Sequence, residues 1–156
     1  MKERLFDAIR QEETREVSTI LQENPALVSE KDARGSTPLL LATYYGLYDI
    51  SEMILKYPQN IDAQDASGNT ALMGVCFKGF DNIAKLLLEH NANVNVTNFN
   101  GATALIFAAT FGRKGIARML LANGADKNLK DDRGHTATDH AKMQGIREMV
   151  ELLEAH

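Results

Sequence analysis

The chain has 156 residues, 17 basic against 21 acidic, giving a formal net charge of −4. That is length enough for one domain with a continuous core, with no basic stripe of the kind nucleic-acid surfaces carry and no apolar run approaching the ~20 residues of a membrane helix. A single cysteine, Cys76, excludes an internal disulfide and fits a reducing compartment.

The start, Met1-Lys2-Glu3-Arg4-Leu5-Phe6-Asp7, is charged throughout and lacks the apolar stretch of a secretory signal. A cytoplasmic protein is therefore expected, and delivery into a host cell is compatible with the same residues. Past this start the dominant feature is a period. Gly35, Gly68, Gly101 and Gly134 lie 33 residues apart, and Gly46, Gly79, Gly112 and Gly145 keep the same step. A fixed period of this length means stacked copies of one supersecondary unit.

In chain order, residues 1–31 follow the register with its consensus eroded. Ile9 falls on the Ala42 column, Val17 on Ile50, Ile20 on Met53, Leu21 on Ile54 and Val28 on Ile61, with Glu13 in the place of Gly46. The polar run from Arg10 to Glu16 marks this segment as an expected N-terminal capping unit. Residues 32–64 are the first full repeat. Asp32 and Gly35 predict a tight turn, and Thr37-Pro38 predicts a helix start. Leu39, Leu41 and Ala42 then supply a short apolar helix closed by Gly46, as a left-handed C-cap requires. Ile50, Met53 and Ile54 form the apolar stripe of a second helix.

Residues 65–97 repeat the plan with Asp65, Gly68, Thr70, Gly79 and the stripe Ile83, Leu86, Leu87, ending in the alternating loop Asn93-Val94-Asn95-Val96. Residues 98–130 do so with Asn98, Gly101, Thr103, the apolar run Leu105, Phe107, Ala108 and Ala109, then Gly112 and Ile116, Met119, Leu120. Residues 131–156 close the series with Asp131, Gly134, Thr136, Gly145 and Met149, Leu152, Leu153. Glu148, Glu151 and Glu154 alternate with that last stripe, so the segment is expected to be a C-terminal capping repeat and the chain a complete small protein.

Gly35-Ser36-Thr37-Pro38-Leu39 with Ala42 and Gly46, Gly68-Asn69-Thr70-Ala71-Leu72, and Gly101-Ala102-Thr103-Ala104-Leu105 resemble the ankyrin repeat. Asn91-Ala92-Asn93-Val94-Asn95 and Gly124-Ala125-Asp126-Lys127-Asn128 echo the family's loop ending, and the match covers essentially the whole chain. One departure is the histidine often found after Thr-Pro-Leu: Leu40, Met73, Ile106 and Asp139 stand there. The resemblance implies an all-α helix-turn-helix solenoid with short β-turn or hairpin fingers. It also implies a concave face, lined by the turn tips and the residues just before the second glycine set, where family members usually meet partner proteins.

Mapped onto that face, the residues before the second glycines are Tyr44 and Tyr45, Phe77 and Lys78, Phe111, and Met143. The tips add Arg34, Phe99, Asn100 and Arg133. Aromatics in a row with a few cations and amides are typical of protein-binding hot spots. Packing between neighbouring helices is the competing account of the rings, though Phe99 at a tip has no core to serve. Cys76 falls in the column of Ala109, where a small buried hydrophobe is expected and a nucleophile is not. His135, Asp139 and His140 with Asp131 and Asp132 invite a metal reading, but zinc needs three or four ligands converging on one point. A solvated terminal repeat accounts for them better.

No phosphate-binding glycine loop or catalytic cluster stands out, so neither enzyme activity nor a cofactor is expected. The reading is a non-catalytic scaffold that binds another protein through its concave face, a monomer and no binder of nucleic acid or membrane. The alternatives are a structural protein that pairs with itself as a homodimer and a small-ligand or metal binder. The last is disfavoured because such stacks rarely enclose the apolar cavity of ~300–1,000 Å³ that ligands need.

Overall fold

Four threonines at the 33-residue period start four helices of the computed structural model, which describes residues 1–156. Thr37, Thr70, Thr103 and Thr136 each accept, through the side-chain oxygen, the backbone N–H three residues on, at 3.2–3.3 Å. Each hydroxyl thereby satisfies one of the N–H groups a helix leaves free at its start. In the last repeat Asp139 reaches back to the Thr136 N–H at 2.9 Å and completes a capping box.

Ten α-helices result: α1 Lys2–Arg10, α2 Thr14–Glu23, α3 Pro38–Tyr44, α4 Tyr48–Ile54, α5 Ala71–Lys78, α6 Asp81–Glu89, α7 Ala104–Thr110, α8 Lys114–Ala122, α9 Ala137–Met143 and α10 Arg147–Glu154, with a 3-10 turn at Pro25–Ser29. They pack as five antiparallel pairs. The odd-numbered helices touch one another in order and form an inner layer, and the even-numbered ones form an outer layer behind it. Contacts run mainly between neighbouring pairs, as a solenoid demands.

The core is one continuous seam from Leu5 to Leu153, formed by 36 buried residues. The outer stripes predicted from sequence supply much of it: Ile50 and Ile54, Ile83 and Leu87, Ile116 and Leu120, Met149 and Leu153. Met53, Met119 and Leu152 lie only half-buried on the flank of that stripe. Where the resemblance would place a histidine, Leu40, Met73 and Ile106 are buried side chains, so three copies replace a polar contact with apolar packing.

The fingers are not β-structure. No strand or hairpin is present anywhere in the chain, which overturns the expected hairpin fingers. The reason lies in how each tip satisfies its own backbone. Asp32 Oδ1 accepts from the N–H groups of Arg34 and Ser36, and Asp65, Asn98 and Asp131 do the same two and four residues on. With those donors capped locally, little is left to build a ladder. Adjacent tips share one backbone hydrogen bond where they share any: Phe99 N–H to the Ser67 carbonyl at 3.1 Å, and Asp132 N–H to that of Asn100 at 3.0 Å. None joins the tip at Gly35 to the tip at Gly68, where Lys31 Nζ donates instead to the Gln64 carbonyl at 2.8 Å.

The first unit is also one residue out of the expected register. Its positive φ falls on Glu12, at 57°, while Glu13 has φ −85° and precedes α2. Glu12 therefore occupies the position of Gly46, and Val17 and Ile20 take those of Ser51 and Ile54 rather than Ile50 and Met53. Glutamate at positive φ is strained relative to glycine. All eight periodic glycines adopt positive φ as predicted, between 70° and 83°.

Candidate functional site

From α3 onward, each inner helix ends just before a glycine of the second set, and its last residues have no neighbouring helix to cover them fully. Tyr44 is 41% exposed, Tyr45 54%, Phe77 39%, Phe111 42% and Met143 56%. The predicted aromatic row is thus solvent-accessible. It is also internally packed. Tyr44 and Tyr45 meet edge to face at 5.8 Å, and Phe77 and Phe111 do so at 4.8 Å. Lys78 places Nζ 4.9 Å from the centre of the Tyr44 ring, a cation–π contact. Packing and exposure coexist here, because an edge-to-face contact covers only part of each ring.

Tips and inner helices together enclose an open hollow of about 630 Å³ between the first and second full repeats. Its walls include Arg34, Asp65 and Asn69 from the tips and Leu41, Tyr44 and Gly74 from α3 and α5. A second recess of about 240 Å³ continues from it, bounded by Tyr44, Met73, Gly74, Phe77 and Phe107. The recess links the tyrosine pair to the phenylalanine pair, so Tyr44, Tyr45, Phe77 and Phe111 lie along one surface. The hollow is open to solvent and lined by charged and polar side chains as well as apolar ones, so it is not an enclosed apolar cavity.

The hollow has a specific cause. The fourth residue after each capping threonine is Leu41, Gly74, Phe107 and His140 in successive repeats, and glycine alone leaves that place empty. A Cβ at Gly74 would meet only Tyr44 Cδ1, at an ordinary 3.5 Å. Gly74 and its neighbours Asp65, Asn69 and Phe107 were missed by sequence reasoning. The available signal was a glycine in mid-helix and off both periodic columns, at a cost in helix propensity.

The tip residues are less concentrated. Arg34, Asn100 and Arg133 are exposed on separate tips, and only Arg34 borders the hollow. Phe99 is 67% exposed, yet its ring lies so close over Gly68 that a Cβ there would meet Cδ1 at 2.6 Å. It covers the backbone of the preceding tip, a packing role that reading it as a contact residue alone left out. Met143 and Arg133 lie two repeats beyond the hollow and take no part in it.

Cys76 and the acid–histidine group of the last repeat are structurally occupied. Burial pushes the Cys76 thiol well above its ordinary range, and its side chain is fully enclosed, which suits inert packing. His140 Nε2 lies 2.7 Å from Asp131 Oδ2, and the His135 ring stacks edge-on 5.6 Å from that of His140. Burial acts to raise the Asp131 carboxyl, but the N–H groups of His135 and Arg133 and the His140 ring together hold it below its usual value. Asp139 is spent on the Thr136 cap. These residues form a capped turn, and no three of them converge as metal ligands would.

No helix is long and apolar enough to cross a membrane. The family model described as ankyrin repeats in three copies matches residues 54–131 and 98–156, and the single ankyrin-repeat model matches residues 34–66. No curated protein matches the chain.

Proposed function

The chain belongs to the ankyrin-repeat family, whose members are non-catalytic protein-interaction proteins, and from that premise we propose that it binds a partner protein across the inner face of the stack. The observation that carries the reading is the exposed aromatic row Tyr45, Tyr44, Phe77 and Phe111, with the Lys78 ammonium over Tyr44 and the hollow beside it. Large rings held in fixed orientations by their neighbours lose little entropy on binding, which is why such residues anchor interfaces. Arg34, Phe99, Asn100, Arg133 and Met143 extend the proposed footprint along the tips and the last inner helix.

Alanine at Tyr45, Phe77 and Phe111 together tests it. The three side chains are exposed and outside the buried seam, so the variant keeps its helical spectrum and its single unfolding transition. Affinity capture from the native cell extract should retain a protein on the wild type and lose it on the triple variant. Equal retention by both would remove the inner face from the interaction.

A further inference from the structure

Four repeats present the same acid or amide at the head of the tip, and in three of them its outer atom is occupied. Asp32 Oδ2 is 3.2 Å from Arg10 Nη2, Asn98 Nδ2 donates to Asn69 Oδ1 at 2.8 Å, and Asp131 Oδ2 meets His140 Nε2 at 2.7 Å. Asp65 differs. Its Oδ1 accepts from the Ser67 and Asn69 N–H groups, and Oδ2 receives no hydrogen bond or ion pair from the chain. It lines the hollow, half-buried.

The last repeat contains, in the same frame, the group this carboxylate lacks. His140 is the fourth residue after its capping threonine and Asp131 the fifth before it. Gly74 and Asp65 hold those two places around Thr70. Where the last repeat sets an imidazole against its aspartate, the second full repeat sets an empty volume. The recess beyond it is aromatic, lined by Phe77, Phe107 and Tyr44, the last of which already carries the Lys78 ammonium 4.9 Å from its ring centre.

We propose that the hollow at Gly74 receives a basic side chain, arginine or lysine, from the partner protein, its charge on Asp65 and its aliphatic stem in the recess between Tyr44 and Phe107. A carboxylate half-withdrawn from water gains most from a donor that is itself charged. Of the other cations bordering the hollow, Arg10 is held by Asp32 and Asp7. Arg34 also borders the hollow, exposed on its tip and without a carboxylate partner. This identifies the chemistry of one anchor for the inner-face interaction proposed above and rests on that reading.

The test is a titration of the ¹⁵N-labelled full chain with N-acetyl-arginine methylamide, beside its uncharged citrulline and its acidic glutamate counterparts. The arginine compound should shift the amides of Tyr44, Asn69 and Gly74 saturably, with citrulline binding about five-fold more weakly or worse. Asp65→Asn, which keeps the tip acceptor as Asn98 does, should abolish the difference between the two. Gly74→His should block the shift by closing the site from within, as His140 closes its own. Equal shifts from arginine and citrulline, an arginine shift that survives Asp65→Asn, or a stronger response to the glutamate compound around Arg34 would each overturn the proposal. No arginine shift, combined with lost capture by the alanine triple variant, overturns the basic anchor but leaves the inner face as the partner's surface. Saturable binding centred on the outer helices overturns both.

Discussion

Ser51 illustrates how one residue can be read against its column. It is fully buried in the place that Ala84 and Ala117 hold in the next two repeats, and its hydroxyl has no hydrogen-bond partner. An unsatisfied buried hydroxyl costs free energy that a methyl group does not. Ser51→Ala should therefore stabilise the protein by about 1 kcal/mol, or about 2–4 °C in melting temperature, and thermal unfolding checks it. No change in stability would mean that Ser51 finds a partner in solution. The same column logic made much of the chain legible. Asp32, Gly35, Thr37 and Gly46 each carry a turn, cap or stop whose chemistry is local, so spacing alone placed the helices. Gly74 was not legible in that way, because its effect comes from what stands above and below it, Leu41 and Phe107, and from the acid across the groove. Among Gln11, Glu12 and Glu13 no residue type signalled which would take positive φ, and the choice fell on Glu12.

At the scale of the element, the turn between inner and outer helix joins successive repeats. Gly79 ends α5 at φ 83°, and a Cβ there would come within 2.8 Å of the Arg113 guanidinium carbon. Arg113 Nη2 in turn donates to the Phe77 carbonyl at 2.8 Å, pinning the end of α5 to the start of α8. Gly46 lies under the Phe80 ring in the same manner. These glycines thus serve the fold twice, through backbone conformation and through close approach. Gly79→Val should cost about 2–3 kcal/mol from the left-handed backbone alone, with displacement of Arg113 adding to it. Denaturant unfolding measures the loss, and an unchanged midpoint would mean that α5 does not end where it is placed. The fingers show the opposite relation between sequence and element. Their turn chemistry was correctly read from Asp65 and Gly68, but the hairpin came from family likeness, and Asx capping had already consumed the donors a ladder needs.

For the whole molecule, the seam of buried residues has no break between the first helix and the last, while each pair touches chiefly its neighbours. Damage in the middle must therefore travel. Leu87 is fully buried on α6, and Leu87→Ala should cost about 2–5 kcal/mol. Hydrogen exchange should accelerate in α4 and α8 together with α6, and less in α1. Loss of protection confined to α6 would show that the repeats are stable one by one. The missing tip-to-tip bond between the first two full repeats has a mechanical meaning. Later tips are tied by backbone, whereas this junction is held along that edge by a lysine reaching one carbonyl. Among the junctions between full repeats, that edge alone lacks a backbone tie between tips, like a book whose stitching skips one page. That page is the one with the hollow, so widening it along the tips would break a side-chain contact and no backbone stitch.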